Sequence, residues 1–116
     1  MSLGAAKTAF SSDITPPAEY GVFITPGSLV KQTSNGSYTS PNFIANVTGG
    51  VGPFGYSWSS DDLTVISPDE SITKISASGF NEEVFGLLTI NIIDTGNGNA
   101  PATASAQIDI LFGNPL

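Results

Sequence analysis

The rhythm of its apolar residues constrains this chain more than any other feature. Short runs rich in β-branched and aromatic side chains are cut by Gly, Pro or Asn, and no segment sustains an apolar period of 3.6 residues. Tyr20–Thr25 stops at Pro26-Gly27, and Ser28–Thr33 stops at Ser34-Asn35-Gly36-Ser37. Asn-Gly is a strong hairpin signal because both positions tolerate positive φ, so a hairpin is expected there. Asn42–Thr48 closes on Gly49-Gly50 and Gly52-Pro53. Phe54–Ser59 alternates, with Phe54, Tyr56 and Trp58 on one face. Leu63–Ile66 ends at Ser67-Pro68-Asp69. In Ser71–Ser78 the apolar residues are Ile72, Ile75 and Ala77, and the change of parity predicts a bulge or an edge role. Gly86–Asp94 places Leu88, Ile90 and Ile92 on one face, and Thr103–Phe112 does the same with Ala104, Ala106, Ile108, Ile110 and Phe112.

Seven or eight such strands within one domain's length predict an all-β fold, an antiparallel sandwich, with a closed barrel as the alternative. Leu, Ile, Val and Phe number 31 of 116 residues, above the level of a disordered chain. Residues 1–19 show no period and end in Pro16-Pro17-Ala18-Glu19, so an N-terminal arm or linker is expected before a domain at 20–116.

Composition then narrows function. Without Cys or His there is no thiolate nucleophile, imidazole base, Ser-His-Asp triad or His-ligated metal. The basic residues are Lys7, Lys31 and Lys74, with no Arg and a net charge of -7, the opposite of a nucleic-acid footprint. No apolar run is long enough to span a membrane as a helix. The first residues, MSLGAAKTAF, lack the apolar segment of a secretory leader.

The stretch Asn46–Ser59, N-V-T-G-G-V-G-P-F-G-Y-S-W-S, resembles the second-to-third-strand region of bacterial and phage immunoglobulin-like modules. Modules of the PKD-like type read V-T-G-G-x-x-P-Y-x-Y-x-W-S there, and Phe54 stands in place of the Tyr after proline. Leu87–Asp94 and Thr103–Ile110 resemble the last two strands of such a module. The resemblance spans roughly residues 20–112 and implies an immunoglobulin-like sandwich with Trp58 in the inter-sheet core. No disulfide can pack against that Trp, so Val47 and Ile90 are expected to fill its place. Expected core residues are therefore Phe54, Tyr56, Trp58, Val47, Leu88, Ile90, Ile92, Ile108 and Ile110.

The remaining candidates each have a plain reading beside the chemical one. Asp61, Asp62, Asp94, Asn97 and Asn99 carry oxygens of the kind Ca²⁺ takes, so converging loops would make a weak site. The spacing lacks an EF-hand, and Gly, Asn and Asp are what turns require, so solvated turns are the preferred reading and no cofactor is expected. Asp69-Glu70 and Glu82-Glu83 are local acidic pairs, read as solubilising charges that blunt strand edges rather than glycosidase acids. Asn35-Gly-Ser37 and Asn46-Val-Thr48 match the glycosylation sequon and are read as chance. Tyr20, Phe23, Phe43, Phe54, Tyr56 and Phe112 sit at strand spacing and are read as core rather than as a carbohydrate platform. Phe10, Phe80 and Phe85 lie outside that pattern and are candidate partner contacts.

Taken with these readings, the resemblance to phage immunoglobulin-like modules implies a non-catalytic structural protein of a virion, a capsid decoration or tail-associated subunit on the outer surface. Its expected partners are other virion proteins, in a homo-oligomer or multivalent array. The alternative is a spacer or carbohydrate-binding module of a bacterial surface adhesin, with a cell-surface glycan as partner.

Overall fold

A computed structural model of the protein describes residues 19–113. The predicted arm up to Ala18, including Phe10, and the last three residues lie outside them. The described chain is almost wholly β. Its strands are β1 (Tyr20–Thr25), β2 (Ser28–Thr33), β3 (Ser37–Thr39), β4 (Phe43–Gly49), β5 (Phe54–Ser60), β6 (Thr64–Val65), β7 (Ile72–Thr73), β8 (Ile75–Ser78), β9 (Glu82–Asp94) and β10 (Ala100–Phe112). A single 3-10 turn, Thr95–Asn97, joins the last two.

One layer of the sandwich is the sheet β2-β10-β9-β5. The other is built from β1-β4-β7 and β3-β8-β6, which chain continuity joins. β3 runs into β4 through Ser40–Asn42, and β7 runs into β8 through Lys74. At that junction the Ser40 N–H donates to the Ile75 carbonyl at 2.9 Å, and the Ile75 N–H donates to Ser40 Oγ at 3.0 Å. The layer therefore reads β1, β3/β4, β7/β8, β6 from edge to edge.

The 13-residue strands β9 and β10 pair along their whole length, from Asp94↔Ala100 to Glu82↔Phe112. Their inward positions are the continuous apolar series the alternation predicts. Leu88, Ile90, Ile92, Ala106, Ile108, Ile110 and Phe112 are buried, with Trp58, Phe43, Ile75, Ile24, Ala45 and Leu63 opposite or beside them. Phe54, Tyr56 and Val47 are half-buried at the rim of this cluster. The Trp58 indole N–H donates to the Glu70 carbonyl at 2.6 Å, which satisfies the one polar atom of a buried aromatic.

Three local expectations change, and the phase of Ser71–Ser78 is settled. Asn35-Gly36 is no hairpin turn: neither residue has positive φ, β2 pairs in parallel with β10, and β3 pairs with β8 in the other layer. The segment is a crossing between layers, and the β2–β10 pair is a parallel exception to the antiparallel arrangement. The strands number ten rather than seven or eight, because Ser37–Thr39 pairs and Ser71–Ser78 is divided. Of the two isoleucines of opposite parity, Ile72 is 42% exposed and Ile75 is buried, with Thr73 inward in phase with Ile75. Thr73 Oγ1 accepts the Ser67 N–H at 3.0 Å, so the buried hydroxyl holds a loop amide. The predicted bulge falls on the facing strand, where Ser40, Pro41 and Asn42 stand opposite only Lys74 and Ile75.

Candidate functional site

At one tip of the sandwich, the β4–β5 loop meets the β9–β10 turn. Gly49, Gly50 and Gly52 all have positive φ, a region from which a Cβ is largely excluded. A Cβ on Gly50 would stand 2.7 Å from Asp94 Oδ2, so glycine is also what lets the loop approach the carboxylate. The Val51 N–H donates to Asp94 Oδ2 at 3.0 Å, and the Gly52 N–H donates to Asp94 Oδ1 at 2.7 Å. Thr95 completes the junction, its N–H and its hydroxyl both donating to the Pro53 carbonyl at 3.0 and 2.7 Å. The Tyr20 hydroxyl donates to the Ala100 carbonyl, and its ring packs on Phe54 with centroids 5.8 Å apart. Partial desolvation pushes the Tyr20 phenol above its ordinary range, and the nearby Asp94 carboxylate adds to this. A hydrogen bond at the Asp94 backbone opposes both.

Asp94 is therefore no loop ligand for Ca²⁺. It is fully buried, and both of its oxygens accept loop amides. The other candidate oxygens do not join it. Asn97 and Asn99 share its tip, whereas Asp61 and Asp62 follow the far end of β5, six residues beyond the Phe54↔Asp94 pair and so about 20 Å away. Among the described residues no three acidic side chains are grouped to hold a metal ion.

The acidic pairs likewise have separate surroundings. Glu70 contributes its main-chain carbonyl to Trp58, and Glu82 Oε1 accepts the Phe80 N–H at 3.4 Å. Glu83 shares a hydrogen bond with Asp109 on the outer face of the β9–β10 pair. That bond, and the charge of Asp109, hold the Glu83 carboxyl above its ordinary range. Asp62, Glu82, Glu83, Val84, Phe85 and Ser78 line a shallow open groove near this pair.

The two sequons differ sharply. Asn46 Nδ2 donates to Thr25 Oγ1 at 2.9 Å and to the Phe23 and Ile44 carbonyls at 3.2 Å, so its amide is committed to the β1–β4 pair. Asn35 is exposed in the crossing between layers.

The exposed aromatics do not form one platform. Phe80 is 83% exposed in the β8–β9 turn, and Phe85 faces outward from β9. Phe23, expected in the core, instead faces outward from β1 in the opposite layer, across from Asn46 and on the same sheet face as the exposed Ile44–Ile72 pair. Sequence reasoning misplaced Phe23 because Ile24, not Phe23, takes the inward phase of β1. It also missed the burial of Asp94, although Asp94 continues the inward series Leu88, Ile90, Ile92. A carboxylate in that phase was the available signal.

The Lys31 ammonium lies 5.6 Å over the Tyr38 ring, and among the described residues Lys74 is the only other basic side chain. No helix among them is long and apolar enough to cross a membrane. No family model, curated protein or solved structure matches the chain.

Proposed function

We propose that the chain is an immunoglobulin-like module acting as a non-catalytic structural subunit of a virion, attached to the outside of a capsid or tail by protein–protein contacts. The strand order supports the immunoglobulin-like reading. β1, β3/β4, β7/β8 and β6 face β10, β9 and β5, the first strand region is divided between the layers through β2, and a buried Trp sits on β5.

The observation that carries the functional reading is the placement of the chain ends. Tyr20 enters beside Ala100, whereas the Gly113 N–H donates to the Thr33 carbonyl at 2.8 Å beyond the end of β10. The 13 residues of β10 separate these points by about 40 Å. A segment preceding Glu19 leaves from one tip, and the rest of the sandwich stands away from whatever holds that segment. Contacts made by the segment before Glu19, apolar contact and multivalent display supply affinity, with no chemistry required. The -7 charge repels nucleic acid and suits the outside of a particle.

The same opposite-tip ends favour a second reading, a spacer or glycan-binding module of a bacterial surface adhesin, since such modules join end to end. Binding of the purified full chain to bare virus shells and to whole cells separates the two. Saturable shell binding that is lost when residues 1–18 are removed supports the virion reading. Binding to cells alone supports the adhesin reading.

A further inference from the structure

We propose that Asn35 is a site of spontaneous deamidation, and that its conversion to isoaspartate adds charge to one tip of the sandwich and loosens it. The sequence holds two Asn-Gly pairs, Asn35-Gly36 and Asn97-Gly98. Glycine on the C-terminal side leaves the backbone nitrogen unshielded, which is the requirement for attack on the asparagine side chain. The fold treats the two pairs differently. Asn97 is half-buried, sits in the 3-10 turn and makes a contact of its own, and the turn is fastened to Pro53 through Thr95. Asn35 and Gly36 are both exposed and lie outside any strand, in the crossing from β2 to β3. The Asn35 N–H donates to Thr33 Oγ1 at 3.1 Å and the Gly36 carbonyl accepts the Gly79 N–H at 3.1 Å, so these bonds flank the Asn35–Gly36 peptide, which itself lies outside the strand ladders.

The chemistry balances without any group beyond water. The Gly36 amide nitrogen gives up its proton and bonds to Asn35 Cγ. The Cγ–Nδ2 bond breaks, and ammonia departs carrying a proton, which closes a succinimide. Water then opens the ring at either carbonyl, giving aspartate or isoaspartate. Each product carries one more negative charge, on a chain already at -7.

Isoaspartate also lengthens the main chain by one carbon between Asn35 and Gly36. The Gly36 carbonyl accepts the Gly79 N–H at 3.1 Å, and one residue later Ser37 opens the β3–β8 ladder opposite Ser78. Displacing Gly36 therefore loosens the start of that ladder and the turn that presents Phe80.

The test incubates the folded full chain in mildly alkaline buffer at physiological temperature and follows each asparagine by peptide mass and isoaspartate content. Conversion is expected at Asn35 well ahead of Asn97, whereas in denaturant the two pairs convert at similar rates. Gly36→Ala serves as the matched control. Gly36 does not have positive φ, and an added Cβ would meet only the Gly79 carbonyl at 3.8 Å, an ordinary contact, so the variant folds. It should slow conversion at Asn35 severalfold without changing the melting temperature. Hydrogen exchange at Gly79 should quicken in the isoaspartate form and stay unchanged in Gly36→Ala. Conversion at Asn97 equal to or ahead of Asn35 in the folded chain overturns the proposal, and so does an unmodified Asn35 in a chain whose denatured form converts.

Discussion

Trp58 and Asp94 show two different ways in which a single residue fixes this fold. Trp58 is buried between the layers with its indole N–H satisfied by the Glu70 carbonyl. Trp58→Ala should cost about 3–5 kcal/mol, the range for truncating a large core aromatic, measurable by urea unfolding. A loss below about 1 kcal/mol is the size of a surface change and contradicts this packing. Asp94 acts through polarity, its carboxylate holding two amides of a loop that glycines bring close. Asp94→Ala leaves both amides without their acceptor and should cost about 3 kcal/mol, with the loss localised by hydrogen exchange at Val51 and Gly52. Tyr20 at the same junction supplies a pH dependence. Its folded-state phenol titrates above the ordinary tyrosine range, so the fold favours the protonated form. Its contribution is complete below the unfolded value near 10.0 and is lost as pH rises through the higher folded value. Unfolding measured across that alkaline window should show stability falling with pH, and Tyr20→Phe should flatten the fall.

At the scale of elements, alternation made the β5, β9 and β10 faces legible, because each of these strands packs on one side and is exposed on the other. Leu88, Ile90, Ile92, Ile108 and Ile110 could be assigned to the core from period alone. Pairing was not legible in the same way. Asn35-Gly36 has the composition of a hairpin turn, yet the chain uses it to change layers, because the strands on either side find better partners in β10 and β8. The phase of β7 was left open by the change of parity between Ile72 and Ile75. Two isoleucines of opposite parity compete, and Ile75 takes the interior while Thr73 keeps step with it by bonding a loop amide. A pair of substitutions tests that phase. Ile72→Thr should change stability by no more than about 0.5 kcal/mol, as at other surface positions. Ile75→Ala should cost about 2–5 kcal/mol. Equal effects contradict the assignment. The candidate oxygens are kept apart by topology: Asp61 follows the last residue of β5, whereas Asp94 ends β9 beside the first residue of β5, a separation that composition does not reveal.

For the whole molecule, the long β9–β10 pair is the organising element. It spans both halves of the facing layer and carries the chain from the tip where Tyr20 enters to the tip where Gly113 leaves. The exposed aromatics are scattered over both layers and the far turn, so no single face collects them, whereas the two tips are distinct and far apart. The proposed role uses that separation, with attachment at one tip and presentation at the other. The most direct measurement saturates purified virus shells with the full chain carrying a label at a cysteine introduced by Phe80→Cys, and images the complex. The account predicts a fixed number of copies per shell with the label at the outermost point of each. Absence of saturable binding, or labels lying against the shell surface, contradicts it.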